Sequence, residues 1–424
     1  FMLKELTIKN FLSFNDETTF TMEADVEKVS EYPEHVIKIN DNNLLKVTSL
    51  YGPNGGGKSN LLKALILPKK LVCMDSFSFF ESKCVFSDNN DIEETLFFVT
   101  DDFEIGYYFK IIIEQTNIDF GDNDHRILQK INGARIINES VVYRKNGTDK
   151  FIELFSRNEK GIIEGKELLK NIKLTQLSKN KAVLAKIYED YANNDYIQNE
   201  LLLVCKELYE EINSIMNLDN TFDFGLRRTL LINEKYLNEI ETNKEKLIRL
   251  LNSVDIKIKN IKIDYESSFP ILFERAILIG NQIITKTLPL QSESKGTQKI
   301  FYIFMSLLDS LDKNIIFYCD DMNSYLHPKL CRAIIELFNS ENNKNCQFIF
   351  NSHDIINMTN DVFRRDEIWF AYRNENYSTV LVPLSNIVNS KNNQIRKDAK
   401  FNKQYLEGKY GADPFIAKGL NWGE

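Results

Sequence analysis

A glycine-rich segment at positions 52–59 constrains the fold of this chain more than any other feature. Its residues, Gly-Pro-Asn-Gly-Gly-Gly-Lys-Ser, match the pattern G-x-x-x-x-G-K-[ST] at every fixed position. The apolar residues 47–51 before it predict a buried strand, and the residues after it predict a helix that ends before Pro68. A strand, a glycine-rich loop and a helix in this order predict a phosphate-binding loop.

The residue types of this loop suit a nucleotide triphosphate. Glycine permits positive φ angles, so that successive backbone N–H groups can wrap a phosphate, and the following helix adds its dipole. We expect Lys58 to reach the β- and γ-phosphates and Ser59 to ligate Mg²⁺. The expected nucleotide-binding residues of the loop are Gly52, Pro53, Asn54, Gly55, Gly56, Gly57, Lys58, Ser59 and Asn60.

Two adjacent acids follow a second apolar run, residues 315–319. An acid at the end of a buried strand fits the Walker B role, so we expect Asp320 to hold Mg²⁺. Asp321 comes next, where a general base would polarise the attacking water. Adjacent acids at a strand end also occur by chance, but the phosphate loop favours the catalytic interpretation.

His353 follows a third apolar run, residues 348–350. A histidine at that point can hydrogen-bond the γ-phosphate, and we assign it to the catalytic group. The alternative is an ordinary histidine in a surface loop.

Ser294 and Gly296 belong to a Ser-Lys-Gly-Thr segment that opens an amphipathic helix. A serine, a glycine and a helix N-terminus can form a second anion site. Since the chain already has one phosphate loop, this site is best explained as closing over the γ-phosphate held by a second copy. Taken alone, the segment is also an ordinary capped helix start.

The chain divides into three predicted parts. Residues 1–157 carry the phosphate loop and hairpin-like strand patterns, including strands at 140–144 and 151–155 around an Asn146-Gly147 turn. Residues 158–254 show apolar positions at three- and four-residue spacing, which predicts a helical insertion. Residues 255–424 carry the serine–glycine segment, the acidic pair and His353. A strand is predicted at 256–263.

Composition narrows the function classes. The 53 basic and 61 acidic residues give a net charge of −8, which disfavours a protein that coats nucleic acid, although a local basic patch remains possible. No apolar run approaches the ~20 residues of a membrane helix, and the N-terminus lacks the apolar run of a signal peptide. The six cysteines form no C-x-x-C pair. We expect a cytoplasmic protein with no membrane partner.

The order of these motifs resembles the ABC-type ATPase heads of the SMC, RecF and OLD group. More narrowly, the chain is similar to bacterial AAA-family ATPases of abortive-infection and phage-defence operons, the RloA/AbiL-like proteins. The resemblance is carried by four further segments: residues 8–14 (an "NFRSF"-like start), 288–297, 323–328 ("SLHP"-like) and 405–414 ("YLxGrYGaxP"-like).

The resemblance implies an α/β ABC-type head, with a mixed sheet, flanking helices and an antiparallel β lobe, interrupted by the helical insertion. It also implies ATP and Mg²⁺ as cofactors, dimerisation of heads or a higher homo-oligomer, and control of a defence effector such as a nuclease or toxin. The chain departs from the family at Leu12, where an arginine is common, and at Asp321, where most members have glutamate. Aspartate is shorter by roughly 1.5 Å, and a misplacement of about 1 Å can cost on the order of 100-fold in rate, which predicts slow turnover.

Two other functions stay open at this stage. One is a DNA-repair or chromosome-maintenance ATPase that clamps duplex DNA between two heads, which needs a basic groove. The other is a scaffold that binds ATP without useful hydrolysis because Asp321 is too short.

Overall fold

The described part of the chain in the computed structural model comprises residues 2–74, 82–118, 128–160, 163–165, 177–192, 200–218, 234–280, 282–308, 310, 313–388 and 392–412.

The strands of this part are β1 (Met2–Lys9), β2 (Thr18–Thr21), β3 (Val36–Ile39), β4 (Asn42–Leu45), β5 (Val47–Tyr51), β6 (Ile92–Val99), β7 (Phe103–Ile118), β8 (Leu128–Lys145), β9 (Ile152–Arg157), β10 (Ile163–Gly165), β11 (Met216–Asn217), β12 (Asn260–Ile263), β13 (Ile271–Ile279), β14 (Gln282–Pro289), β15 (Ile315–Cys319), β16 (Cys346–Asn351), β17 (Ile368–Arg373) and β18 (Thr379–Pro383). The α-helices are α1 (Lys58–Lys69), α2 (Val183–Ile187), α3 (Glu200–Ser214), α4 (Glu234–Thr242), α5 (Lys244–Ser253), α6 (Lys295–Leu307), α7 (Pro328–Asn339) and α8 (Phe401–Leu406).

A central sheet in the order β11-β15-β16-β5-β17-β18 positions the site. Its strands are parallel except for the edge strand β18, which runs antiparallel to β17. Every residue of β5 and β16 is buried, which explains why their sequences show no regular alternation of apolar and polar residues. The predicted buried parallel strands are therefore confirmed.

A second, antiparallel sheet forms the β lobe, in the order β10-β9-β8-β7-β6-β1-β2. The hairpin-like patterns predicted within residues 1–157 include the β6–β7 pair, and the strands predicted around the Asn146-Gly147 turn pair as β8 and β9. Together the two sheets confirm the predicted α/β head, with a mixed sheet, flanking helices and an antiparallel lobe.

Alternate residues of the central sheet face two different cores. Leu50 and Ile349 point into a core shared with α1, α3 and the β lobe. Tyr51, Phe348 and Phe350 point into a second core, which is shared with α5, α6 and α7. The sheet is thus packed between two apolar layers, and this packing holds its carboxyl edge in place.

Two sequence predictions about local structure were wrong. Helix α1 does not end before Pro68 but runs to Lys69 and continues as a π-helical segment, Lys70–Met74. Proline lacks an N–H, and it is tolerated here because it lies in the last turn, where the backbone hydrogen bonding changes register. The strand predicted at 256–263 begins only at Asn260.

An antiparallel three-stranded sheet, β12-β13-β14, lies beside the second core. Its last strand leads through the 3-10 turn Leu290–Ser292 into α6. The β13–β14 hairpin was not predicted, because its apolar residues are exposed near its tip and give no strand-like alternation; Ile283 is 76% exposed.

The predicted insertion, 158–254, contains α2 to α5 and the short strand β11. Residues 161–162, 166–176, 193–199 and 219–233 of it lie outside the described residues, as do positions 413–414 of the C-terminal "YLxGrYGaxP"-like segment. The boundaries at 157 and 254 stay a prediction. Among the described residues no helix has the length and apolar character that a bilayer crossing requires. All six cysteines are free thiols, and five of them are buried.

Candidate functional site

The phosphate loop leaves the carboxyl end of β5 and closes at the start of α1. Gly52 has a φ of 141° and Gly57 a φ of 106°, values that favour glycine. A Cβ on Gly52 would lie 2.0 Å from the Ala371 carbonyl oxygen, and one on Gly57 would lie 2.1 Å from Thr379 Oγ1. Since β17 and β18 pack directly against the loop, only glycine fits at these positions.

The first turn of α1 has no side-chain cap on its backbone N–H groups. Its N-cap is Gly57, no side chain caps it, and its first turn carries no acidic residue. Uncapped N–H groups and the positive end of the helix dipole together favour an anion at this point.

Lys58 folds back over the loop. Its Nζ donates hydrogen bonds to the carbonyl oxygens of Gly52 (2.8 Å) and Pro53 (2.9 Å). Burial lowers the pKa of Lys58 to about 8, although the Asp320 and Asp321 carboxylates oppose the shift. The ammonium therefore rests on neutral carbonyls and would gain from a nearby phosphate charge.

Ser59 and Asp320 meet at the foot of the loop. Ser59 Oγ donates to Asp320 Oδ1 at 2.8 Å. The Asn351 side chain, at the end of β16, donates both to the same carboxylate oxygen and to Ser59 Oγ, the latter at 3.4 Å. These side chains bring a hydroxyl, a carboxylate and an amide from three adjacent parallel strands or their loops to one point.

This oxygen-rich group fits Mg²⁺. Magnesium takes hard oxygen ligands and usually keeps several waters, so it needs only one or two protein ligands beside the substrate's phosphates. No cluster of three or more His, Cys, Asp or Glu side chains with metal-site geometry occurs among the described residues. The donor set therefore suits a substrate-linked cation rather than a closed protein cage.

Asp321 is held in an unusual backbone conformation, with a φ of 54°. Its N–H donates to Asn351 Oδ1 at 2.6 Å, and its carbonyl oxygen accepts from Lys299 Nζ at 3.0 Å. Its Oδ2 accepts from Ser324 Oγ, whereas Oδ1 is buried without a hydrogen-bond partner in the described structure. The fixed Asp321 carboxylate therefore keeps one hydrogen-bond acceptor that no described group uses.

His353 lies just past β16 with its ring exposed. Its backbone N–H donates to Asn323 Oδ1 at 3.1 Å. Partial burial lowers the pKa of His353, and the charge of Lys58 lowers it further, against the carboxylates of Asp320 and Asp321. Both effects favour the neutral imidazole, which can donate one hydrogen bond.

We call residues 52–60, 320–321 and 351–353 the nucleotide edge, and residues 293–297 the signature end of α6. Ser294 is the N-cap of α6, and its Oγ accepts from the Thr297 N–H at 3.1 Å. A Cβ on Gly296 would lie 2.6 Å from the Tyr325 carbonyl oxygen. No hydrogen bond between described residues joins the signature end to the nucleotide edge of the same chain. Helix α6 reaches the nucleotide edge further along, through the hydrogen bond from Lys299 to the Asp321 carbonyl oxygen.

Sequence reasoning missed two residues that contact the phosphate loop or the predicted metal ligands. Asn351 touches both predicted metal ligands, and its signal was available: it is a polar residue at the end of an otherwise apolar strand, like Asp320. Arg373 ends β17, and its Nε donates to the Gly55 carbonyl oxygen at 2.7 Å. A lone arginine after a strand gives no comparable signal.

The chain matches a family model described as "AAA domain, putative AbiEii toxin, Type IV TA system" over residues 47–357, well over half of its length. No curated protein matches the chain significantly. Among solved structures, the chain is similar to the SMC head domain from Thermotoga maritima, with 16% identity, a TM-score of 0.39 and coverage of 90% of this chain and 99% of that one. It is also similar to an SMC head bound to the C-winged helix domain of ScpA, with 12% identity, a TM-score of 0.42 and coverage of 90% and 96%.

Proposed function

The chain belongs to the AAA-domain family described as putative AbiEii toxins of type IV toxin–antitoxin systems and is a P-loop ATPase of that type, and on this premise we propose that it is a Mg²⁺-ATP-dependent switch. ATP binds at the nucleotide edge, a second copy completes the pocket with its signature end, and the assembly controls an effector protein in anti-phage defence. The observation that carries the proposal is the contact of Ser59 with Asp320 directly below the phosphate loop.

Binding of the triphosphate follows from the resting contacts of Lys58. Its ammonium exchanges the carbonyls of Gly52 and Pro53 for phosphate oxygens, which carry full negative charge. The uncapped N–H groups of α1 surround the same anion. Ser59 and Asp320 are the residues that would hold Mg²⁺, and the ion when bound would neutralise charge on the β- and γ-phosphate oxygens.

Hydrolysis requires a positioned water. The free Oδ1 of Asp321 accepts a hydrogen bond from that water, while the contacts with Asn351 and Lys299 hold the backbone of Asp321 in place. The neutral ring of His353 donates to the γ-phosphate. Because aspartate reaches less far than glutamate, turnover is slow and the ATP-bound state persists.

The second copy supplies what the nucleotide edge lacks. The exposed Ser294 and the helix dipole of α6 form an anion site that has no phosphate loop of its own. In an assembly of two copies, this site faces the γ-phosphate bound by the partner. Lys299, on the same helix, then connects one nucleotide to the Asp321 that serves the other.

The test is a Lys58→Ala variant compared with Lys63→Ala, which removes a lysine from the same helix outside the site. Loss of a charge-assisted contact to phosphate predicts that Lys58→Ala binds Mg²⁺-ATP roughly 10- to 100-fold more weakly by calorimetry, with turnover lost. Lys63→Ala should bind normally. Unchanged binding and turnover in Lys58→Ala would refute the nucleotide site.

A second candidate is a scaffold that holds ATP without useful hydrolysis. It is favoured by the hydrogen bond from Ser324 to Asp321, which occupies one carboxylate oxygen of an already short side chain. Single-turnover hydrolysis by the wild type and Asp321→Ala separates the two functions, because a scaffold shows equal rates in both proteins.

A further inference from the structure

Two exposed aromatic rings stack on each other on the surface beside the phosphate loop. Phe86 is 53% exposed and Tyr377 is 60% exposed, and their ring centroids lie 5.4 Å apart with an interplanar angle of 24°. The rings come from segments far apart in sequence, the one that precedes β6 and the turn between β17 and β18. We call this pair the aromatic platform.

Arg373 connects the platform to the phosphate loop. Its Nε donates to the Gly55 carbonyl oxygen at 2.7 Å, and its NH1 donates to the Tyr377 carbonyl oxygen at 3.1 Å. Strand β17 runs parallel to β5, with Phe370 opposite Tyr51, so the turn after β17 lies at the same sheet edge as the loop. Tyr377 is therefore one bridging side chain away from the phosphate loop.

The Phe86 side of the platform is tied to the start of α1. The Leu12 N–H donates to the Ser82 carbonyl oxygen at 3.0 Å, which fixes the segment leading to Phe86. One residue along, Ser13 Oγ accepts from the Asn60 side chain and from Thr379 Oγ1, each at 2.7 Å. Hydrogen bonds of Leu12 and Ser13 thus link the segments that carry the two rings to the first turn of α1.

We propose that the aromatic platform is the stacking surface for the purine base of the nucleotide, with Arg373 as the cation between base and phosphates. This proposal rests on the proposed ATP site and deepens it. The phosphate loop fixes only the triphosphate, and the base is tethered to it through one ribose, so the base must lie close to the loop. Flat aromatic faces are the side chains on which bases stack.

Leu12, in the segment that precedes Ser13, has no charge to offer a phosphate. Arg373 brings a guanidinium to the loop from β17 instead, and its contact with Gly55 places that charge at the loop's exposed side.

The experiment measures Kd by calorimetry for Mg²⁺-ATP and for inorganic tripolyphosphate, which has no base. The variants are Phe86→Leu and Tyr377→Leu, which keep apolar bulk but remove the stacking face. Loss of one stacking contact predicts about tenfold weaker ATP binding in each variant, with tripolyphosphate binding unchanged. Phe269→Leu, at a 50% exposed phenylalanine in another loop, is the matched control and should bind both ligands normally.

Three other results would overturn the platform. Equal weakening of ATP and tripolyphosphate would mean that the substitutions distort the phosphate loop. Unchanged binding of both ligands would mean that the base lies elsewhere, and unchanged binding with loss of self-association would make the rings a protein interface. Failure of the ATP site itself is distinguishable, because wild type would then bind neither ligand and Lys58→Ala would change nothing.

Discussion

The nucleotide edge and the signature end of α6 satisfy their polar groups in different ways. At the nucleotide edge, hydrogen bonds link three side chains from different elements: Ser59 in the first turn of α1, Asp320 just past β15 and Asn351 at the end of β16. At the signature end, the Ser294 hydroxyl is hydrogen-bonded to the N–H and the hydroxyl of Thr297, within one turn of α6. The hydrogen bonds of the nucleotide edge lie within one chain, whereas under our proposal the exposed signature end acts on the nucleotide bound by a second copy.

Each of the two sites contains a glycine that lies too close to another backbone segment to accommodate a Cβ: Gly52 beside Ala371 and Gly296 beside Tyr325. This gives the prediction with the largest effect. In Gly52→Ala the added Cβ would lie 2.0 Å from the Ala371 carbonyl at a φ of 141°, which predicts about 1–3 kcal/mol of lost stability and no measurable ATP binding. Chemical denaturation and calorimetry measure the two effects.

Gly296→Ala is the counterpart at the signature end, where the clash with Tyr325 is at 2.6 Å. This variant should bind ATP normally and lose ATP-dependent self-association, as measured by light scattering. If it loses ATP binding as Gly52→Ala does, the two sites are not separate.

Substitutions of Asp321 test whether its carboxylate sets the rate of ATP hydrolysis. Asp321→Asn removes the negative charge that orients the water and should reduce the steady-state rate by roughly 100-fold, with ATP affinity retained. Asp321→Glu lengthens the side chain by one methylene and should raise the rate by up to about tenfold. A rate that is equal in all three proteins would contradict the catalytic role.

The pH dependence of binding probes Lys58. In the free protein the pKa of Lys58 is lowered to about 8, and phosphate favours the charged form, so the pKa in the complex is higher. Affinity is then full below pH 8 and declines above it, by up to about tenfold per pH unit. Calorimetry from pH 7 to pH 9.5 should show this decline, and Lys58→Arg, which stays charged, should not.

Ser294→Ala should have the smallest effect on the isolated chain. Removing the N-cap of α6 predicts a loss of about 1 kcal/mol in unfolding free energy, measured by denaturation. ATP binding by the single chain should not change. A change in ATP affinity at low protein concentration would show that the signature end acts within its own chain.

Patterns local in sequence predicted much of this molecule. The loop at 52–59, the apolar strand before it and the acid after β15 are contiguous signals, and they defined both the fold class and the centre of the site. The contacts of Asn351 and Arg373 depend on strand order, which a single sequence does not reveal. The β13–β14 hairpin escaped prediction because its exposed isoleucines obey neither helical nor strand alternation.

The partner-completed pocket is tested most directly by the mass of the protein in solution. Light scattering with Mg²⁺ and a non-hydrolysable ATP analogue should show at least a doubling of mass for the wild type, and no increase for Gly296→Ala despite equal analogue binding. A wild type that binds the analogue and keeps the mass of a single chain would contradict the account.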